Sequence, residues 1–151
     1  MPSDIKAYRV FIASPGGLTD ERIAFRDTLQ AYNESEALAR GAMFIPVGWE
    51  ITLGGVGRPQ SFINEDVKKC DYFALLLWDR WGSRPDKENQ GKYSSGTEEE
   101  YNVALECFGD QELSMRQIVV FFKAVEPRQI SDPGEQLRGV LDFKKKLETD
   151  K

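Results

Sequence analysis

A run of three glutamates, Glu98-Glu99-Glu100, is the part of this sequence whose residue type and spacing most suggest chemistry. It directly follows Ser95-Gly96-Thr97, a turn-forming sequence that can begin an α-helix. A carboxylate at the edge of an apolar face loses hydration, which suits it to act as a nucleophile or to stabilise positive charge. The chain contains no histidine, so histidine-dependent triads, cysteine–histidine pairs and histidine-bound zinc are excluded, and no metal site is predicted.

Helical periodicity separates the three carboxylates. On a helix Glu100 shares a face with Ala104, whereas Glu99 lines up with Glu106. We therefore expect Glu100 alone to point toward the protein, and it is the candidate catalytic residue. A structural alternative stays open, because Thr97 and Glu100 have the spacing of a capping box and the helix dipole favours acidic residues in a first turn.

Composition restricts the classes of protein to which the chain can belong. Its 151 residues, 40% apolar and 11% aromatic, are enough for one core and too few for two ordinary domains, so a single domain is expected over residues 1–151. The net charge of −5 leaves no positive field for a nucleic-acid backbone. The longest apolar run, Tyr72 to Trp78, is far shorter than the roughly 20 residues of a membrane span. With Cys70 and Cys107 predicted to be buried thiols, we expect a cytoplasmic protein with no membrane or nucleic-acid partner.

Apolar periodicity alternates between strand-like and helix-like segments along the whole chain. This alternation is typical of a parallel sheet with helices on both faces, so the predicted fold class is a three-layer α/β domain with a mainly parallel sheet of four to five strands. Four strands are predicted at residues 8–14, 42–49, 72–78 and 118–125. Helices are predicted at about 18–40, 61–69, 97–108 and 135–148, with a polar surface loop at 83–93 and a linker at 127–134.

The predicted strand ends carry polar, cationic and aromatic residues. In open parallel sheets ligands bind outside the carboxyl ends of the strands, where the connecting loops gather, so these residues are expected to meet in one crevice. The candidate ligand-binding residues are Ser14, Gly16, Arg22, Trp49, Arg80, Trp81, Gly82, Ser95 and Thr97.

Two of these candidates have structural alternatives. Arg22 lies on the predicted core-facing stripe of the first helix, where it could bind a ligand or pair with a nearby carboxylate such as Asp20 or Glu21. Trp81 is the best-placed ring for a ligand contact, although tryptophans are more often core or rim residues. The glycine-rich segment 54–57 lacks the lysine of a phosphate loop and is a weak nucleotide cradle.

Several segments of the chain resemble the TIR-like domains found at the N-termini of NACHT- and STAND-type NTPases. The segments are Val10 to Gly16, Glu21-Arg22, Trp49-Glu50, Asn64, Trp81-Gly82 and Ser95 to Glu100, and the resemblance covers Tyr8 to about Val125. It implies a flavodoxin-like sheet. In the enzymatic TIR domains a glutamate on the third helix cleaves NAD at the nicotinamide–ribose bond, and the resemblance assigns that role to Glu100.

A second resemblance selects the same glutamate. Nucleoside 2-deoxyribosyltransferases, which have a related fold, carry Gly-Thr, then Glu after two residues, then Ala four residues later, and Gly96-Thr97, Glu100 and Ala104 match that spacing. The chain departs from the enzymatic TIR pattern in its longer polar loop at 83–93 and in lacking a Trp-Cys pair shortly before the glutamate.

Three functions follow from these resemblances as expectations. The first is an effector or signalling domain in immune or stress defence that hydrolyses or cyclises NAD, with NAD as substrate and no separate cofactor. The second is a non-catalytic interaction module. The third is a glycosyl transferase or hydrolase acting on nucleosides or nucleotides. The TIR resemblance also implies self-association or association with partner NTPase domains.

Overall fold

Strands and helices alternate along the chain, as the periodicity predicted. The structure is a computed structural model and describes residues 1–48, 60–82 and 92–150. The strands within these ranges are β1 (Lys6–Ala13), β2 (Ala42–Val47), β3 (Tyr72–Leu77) and β4 (Gln117–Phe122). The α-helices are α1 (Thr19–Tyr32), α2 (Gln60–Lys68), α3 (Gly96–Gly109), α4 (Pro127–Ser131) and α5 (Glu135–Thr149).

The four described strands form one parallel sheet in the order β2-β1-β3-β4. Phe11 of β1 pairs with Phe73 of β3, and Phe73 pairs in turn with Ile118 of β4. The chain leaves β1 toward β2 and then crosses to the other side of β1 to form β3, so the strand order reverses between β1 and β3. This flavodoxin-like α/β arrangement confirms the predicted fold class and makes the carboxyl ends of β1 and β3 the expected ligand crevice.

The two faces of the sheet are covered unequally. The larger core packs Phe11, Phe73 and Leu75 against helices α2, α3 and α5. The smaller core, on the opposite face, contains Ile12 and Leu76 and is covered by α1 with its preceding Leu18. Helix α5 lies on the same face of the sheet as α3. On the opposite face, which α1 covers, few helical residues of the described chain lie over β4, and Phe121 is half exposed there.

The first helix differs from its predicted length. A continuous helix was expected to Arg40, but α1 ends at Tyr32 and continues as a π-helical turn, Asn33–Ala37, and a short 3-10 turn. Asn33 explains the change because its buried side chain exchanges two hydrogen bonds with the backbone of Phe44, each 2.8 Å long. These bonds hold the end of the helix against β2.

The predicted linker at 127–134 also differs, because it contains α4. Pro127 occupies the first turn of that helix, and Glu126 and Gln129 form a capping box around it. A capping box fixes both ends of a first turn, so even a five-residue helix forms in this segment.

Some predicted features lie outside the described residues. These are Trp49, Glu50, the glycine-rich segment 54–57 and most of the polar loop at 83–93. Of the helices within the described ranges, none is both long and apolar enough to cross a bilayer.

Candidate functional site

The loops that follow β1 and β3 meet at the start of α3. A Cβ atom placed on Gly82, after β3, would lie 3.8 Å from Cβ of Pro15, after β1, and 3.2 Å from Oγ1 of Thr97. Gly82 has a φ of +111°, a backbone conformation that favours glycine, and the contact that a Cβ would make with Thr97 is tight. The predicted meeting of these loops is therefore present in the structure.

Arg22 ties the end of β1 to the end of β2. Its buried guanidinium donates one hydrogen bond to Oγ of Ser14, at 3.0 Å, and another to the carbonyl oxygen of Gly48. Glu21, one of the two carboxylates named as alternative partners of Arg22, pairs with Lys123. Charge-assisted bonds to two strand ends give Arg22 a positioning role in the crevice wall.

Arg80 presents a cationic group at the mouth of the crevice. Its guanidinium nitrogens approach the Gly16-Gly17 turn, each 3.9 Å from where a Cβ of these glycines would lie. Arg80 and both glycines are exposed. A cation beside open backbone is an arrangement that suits an anionic group such as a phosphate.

The three glutamates at the start of α3 differ in burial and in their contacts. Glu98 accepts hydrogen bonds from the backbone N–H of Ser94, at 3.3 Å, and from the Ser94 hydroxyl, at 3.0 Å. The Ser94 hydroxyl in turn accepts a bond of 2.7 Å from the indole N–H of Trp81. Glu98 and Trp81 line a groove of about 700 Å³ between α3 and α5.

Glu99 is the most buried of the three, with 2% of its surface exposed. One of its carboxylate oxygens accepts a hydrogen bond of 3.3 Å from the side-chain amide of Asn64. The prediction that Glu100 alone points toward the protein is therefore wrong. Helix α2 packs beside α3, so the buried surface of α3 faces both the sheet and α2. The prediction considered only the side of α3 that faces the sheet, and Glu99 faces α2.

Glu100 is half-buried and lies one helical turn before Ala104, which is fully buried against the sheet. The predicted capping box between Thr97 and Glu100 is wrong, because the N-cap of α3 is Ser95. The Ser95 hydroxyl accepts a hydrogen bond of 3.0 Å from the backbone N–H of Glu98. Helix capping therefore does not account for Glu100.

Comparison with protein families identifies the chain. The profile of a family described as Domain of unknown function (DUF4062) matches residues 9–151. The chain belongs to this family. No curated protein and no solved structure matches the chain.

In this DUF4062 domain Trp81 packs against α5 and does not face the crevice as an open ring. Its ring is buried by α5, with a centroid separation of 5.1 Å from Phe143 and close contact with Gly139. The backbone N–H groups of Trp81 and Gly82 both donate to Oε1 of Gln136, at 3.0 and 2.9 Å. The sequence reasoning missed Gln136, since its partners are more than fifty residues away along the chain and no local pattern marks it.

The structure places the predicted site residues of the DUF4062 domain in different surroundings. Those placed around the β1–β3 crevice and open to solvent at least in part are Ser14, Gly16, Arg80 and Gly82. Glu100 is half-buried on α3, three residues after Thr97. Those buried in the walls of the crevice are Arg22, Ser95 and Thr97. Trp81 packs on α5, and Trp49 lies outside the described residues.

Proposed function

We propose that this domain cleaves NAD at the bond between nicotinamide and ribose, with Glu100 as the catalytic carboxylate. In this proposal it is a TIR-like effector or signalling domain that acts in the cytoplasm in immune or stress defence. The observation that carries the proposal is that Glu100 is half-buried on α3, three residues after Thr97, whose hydroxyl lies against Gly82 at the β1–β3 crevice, and that the N-cap of α3 is a different residue, Ser95. Partial burial lets a carboxylate act on a cation with little competition from water.

The reaction needs few protein groups. The glycosidic bond between C1′ of the ribose and the pyridinium nitrogen breaks, and its electron pair neutralises the departing nicotinamide, so no general acid is required. The ribose becomes oxocarbenium-like, and a carboxylate can stabilise that charge or trap the sugar. Water then adds at C1′ and releases a proton to give ADP-ribose. This chemistry suits a chain without histidine.

The remaining crevice residues would bind and orient the substrate. The Arg80 guanidinium and the exposed Gly16-Gly17 backbone are suited to the pyrophosphate of NAD. Arg22 would act indirectly, since its bonds to Ser14 and the Gly48 carbonyl hold two strand ends in place. Glu99 and Asn64 would likewise position the start of α3 against α2.

Release of nicotinamide from NAD tests the proposal, and the run of glutamates provides matched variants. We expect Glu100→Gln to lower the rate constant by at least about 100-fold, the scale of losing one charge-stabilising group in an active site. Glu98→Gln should stay within a few-fold of the wild type, because Glu98 turns toward the α3–α5 groove. Both variants should be assayed at matched folded concentration, checked by circular dichroism.

Three outcomes would contradict the proposal. Equal release by the wild type and Glu100→Gln would exclude Glu100 as the catalytic residue. No release by the wild type, even when it is fused to an oligomerising partner, would favour a non-catalytic interaction module. Base exchange between deoxynucleosides, without cleavage of NAD, would favour the glycosyl transferase.

A further inference from the structure

One face of α5 holds the loop that follows β3. The backbone N–H groups of Trp81 and Gly82 both donate to Oε1 of Gln136, over 3.0 and 2.9 Å. Gln136, Gly139 and Phe143 follow one another at spacings of three and four residues, so they lie on the same face of the helix. Gly139 and Phe143 lie against the Trp81 ring. Helix α5 therefore fixes two consecutive peptide units of the loop as well as a side chain.

The first of these hydrogen bonds also restricts the direction of the Arg80 side chain. The N–H of Trp81 belongs to the peptide unit that joins Arg80 to Trp81, and a peptide unit is planar. Because β3 fixes the chain a few residues earlier, holding this plane restricts the ψ angle of Arg80. The backbone dihedrals of a residue decide which rotamers its side chain can adopt. The contact with α5 therefore reaches the side chain of Arg80 through the backbone.

Arg80 is the cation whose position depends on this loop. Its Nη1 lies 3.9 Å from where a Cβ of Gly16 would be, and its Nε lies 3.9 Å from where a Cβ of Gly17 would be. The side chain thus crosses from the loop after β3 to the loop after β1. An exposed arginine loses conformational freedom when it binds an anion, and a backbone that already directs it to the binding position reduces that loss.

We propose that Gln136 is a positioning residue for substrate binding and that it acts through Arg80. With Oε1 of Gln136 in place, the loop directs the guanidinium over the Gly16-Gly17 turn, where it can bind a phosphate group. Without that acceptor the two N–H groups bond to water and the loop no longer directs Arg80. Gln136 should therefore affect the binding of the phosphates and not the cleavage of the glycosidic bond. The inference rests on the proposed function in one respect, because it takes the substrate to carry a pyrophosphate.

Binding of ADP-ribose tests the inference without any turnover. NMR titration that follows the amide signals of Gly16 and Gly17 gives the dissociation constant. We expect Gln136→Met, which keeps the side-chain length but has no carbonyl oxygen, to raise that constant about tenfold, the scale of losing one hydrogen bond to a charged group. Gln111→Met is the matched control, because Gln111 is exposed in the turn after α3 and should leave the constant unchanged. Circular dichroism of both variants identifies any loss of fold.

A double-mutant cycle with Arg80→Met separates positioning of Arg80 from a general effect on the fold. If Gln136 acts through Arg80, Gln136→Met should change the dissociation constant by less than about twofold in the Arg80→Met background. An equal loss of affinity in both backgrounds would overturn the inference. So would a folded Gln136→Met variant with the affinity of the wild type, or a wild type that does not bind ADP-ribose at millimolar concentration.

Kinetics with NAD provide a second measurement. Gln136→Met should raise KM about tenfold and leave kcat within a few-fold of the wild type, since the lost interaction is with the phosphates and not with the reacting bond. A fall in kcat at unchanged KM would overturn the positioning role. The two proposals can fail separately. Coupled loss of ADP-ribose binding without nicotinamide release would keep the role of Gln136 and exclude NAD cleavage, whereas nicotinamide release without coupling would exclude the role of Gln136 alone.

Discussion

Three chemically identical side chains acquire three environments at the start of α3. Glu98 bonds to Ser94 beside the α3–α5 groove, Glu99 is buried against Asn64, and Glu100 is half-buried one turn before Ala104. A substrate cannot reach a carboxylate that is 2% exposed without moving its neighbours, so the burial of Glu99 does not make it the better catalytic candidate. Exposure to solvent therefore distinguishes Glu100 from Glu99 as a catalytic candidate.

Gly139 is the residue whose replacement we expect to disturb the support of Trp81. A Cβ at position 139 would lie 2.7 Å from Cγ and 2.8 Å from Cβ of Trp81, atoms that cannot move without moving the buried ring. We expect Gly139→Ala to lower the free energy of unfolding, because overpacking costs about 1–3 kcal/mol and exceeds the roughly 1 kcal/mol of helix propensity gained. Urea denaturation measures the difference.

Gly109→Ala is the matched control for this prediction. Gly109 also lies in a helix, but a Cβ there would meet nothing within 4 Å. Its variant should be as stable as the wild type or slightly more stable. A Gly139→Ala variant with wild-type stability would show that the contact between α5 and Trp81 is looser than the structure indicates.

The first turn of α3 is the element that joins the scaffold to the candidate site. Its N-cap residue, Ser95, is fully buried, and Thr97 packs against Gly82. The cap and the catalytic candidate are therefore different residues, and their contributions can be measured separately.

We expect Ser95→Ala to lower the free energy of unfolding by about 0.5–2 kcal/mol, because the backbone N–H of Glu98 loses its acceptor. Ser114→Ala, in an exposed loop, should change it by less than about 0.5 kcal/mol. Thermal unfolding monitored by circular dichroism gives both values. If Ser95→Ala were neutral and Glu100→Gln carried the cost instead, the assignment of the cap would be wrong.

At the scale of the whole molecule, the larger core holds two thiols away from solvent. Burial raises the pKa of Cys70 to about 12 and raises the pKa of Cys107 in the same direction. The fold thus favours the neutral thiol of Cys70. This contribution to stability is fully present below the unfolded pKa of about 8.5 and is lost as the pH rises from there toward the folded value.

We therefore expect the free energy of unfolding to fall more steeply above about pH 8.5 in the wild type than in Cys70→Val, which has no ionisable thiol. Urea denaturation at pH 7 to 10.5 measures the two slopes, and the variant serves as the control for all other titrating groups. Equal slopes would contradict the burial of Cys70. Labelling of the native protein by a thiol reagent at pH 8 should also be limited by unfolding.

Much of the architecture could be predicted because it depends on local patterns. The apolar run from Tyr72 to Trp78 predicted a strand, and the structure has β3 there, between β1 and β4. Parallel strands all end at the same edge of the sheet, so the meeting of the Pro15 and Gly82 loops followed from the topology. The end of α1 at Tyr32 could not be predicted from the local pattern. It depends on hydrogen bonds between Asn33 and the backbone of Phe44 in β2, which lie next to each other only in the folded chain.

The sequence by itself determined the class of fold, the absence of histidine chemistry and the place on the chain where a reactive carboxylate could lie. Those properties depend on periodicity, composition and topology, which are local or follow from the direction of the strands. The cap of α3 by Ser95 is a local bond to the N–H of Glu98, so it belongs to the same turn of the chain. Only the tertiary structure decided which glutamate is buried and which residue holds the end of β3. Glu99 is buried beside Asn64 of α2, and Gln136 of α5 accepts from the backbone after β3, both through contacts between elements. A contact of that kind depends on which elements pack together, and the spacing of residues along one helix does not contain that information.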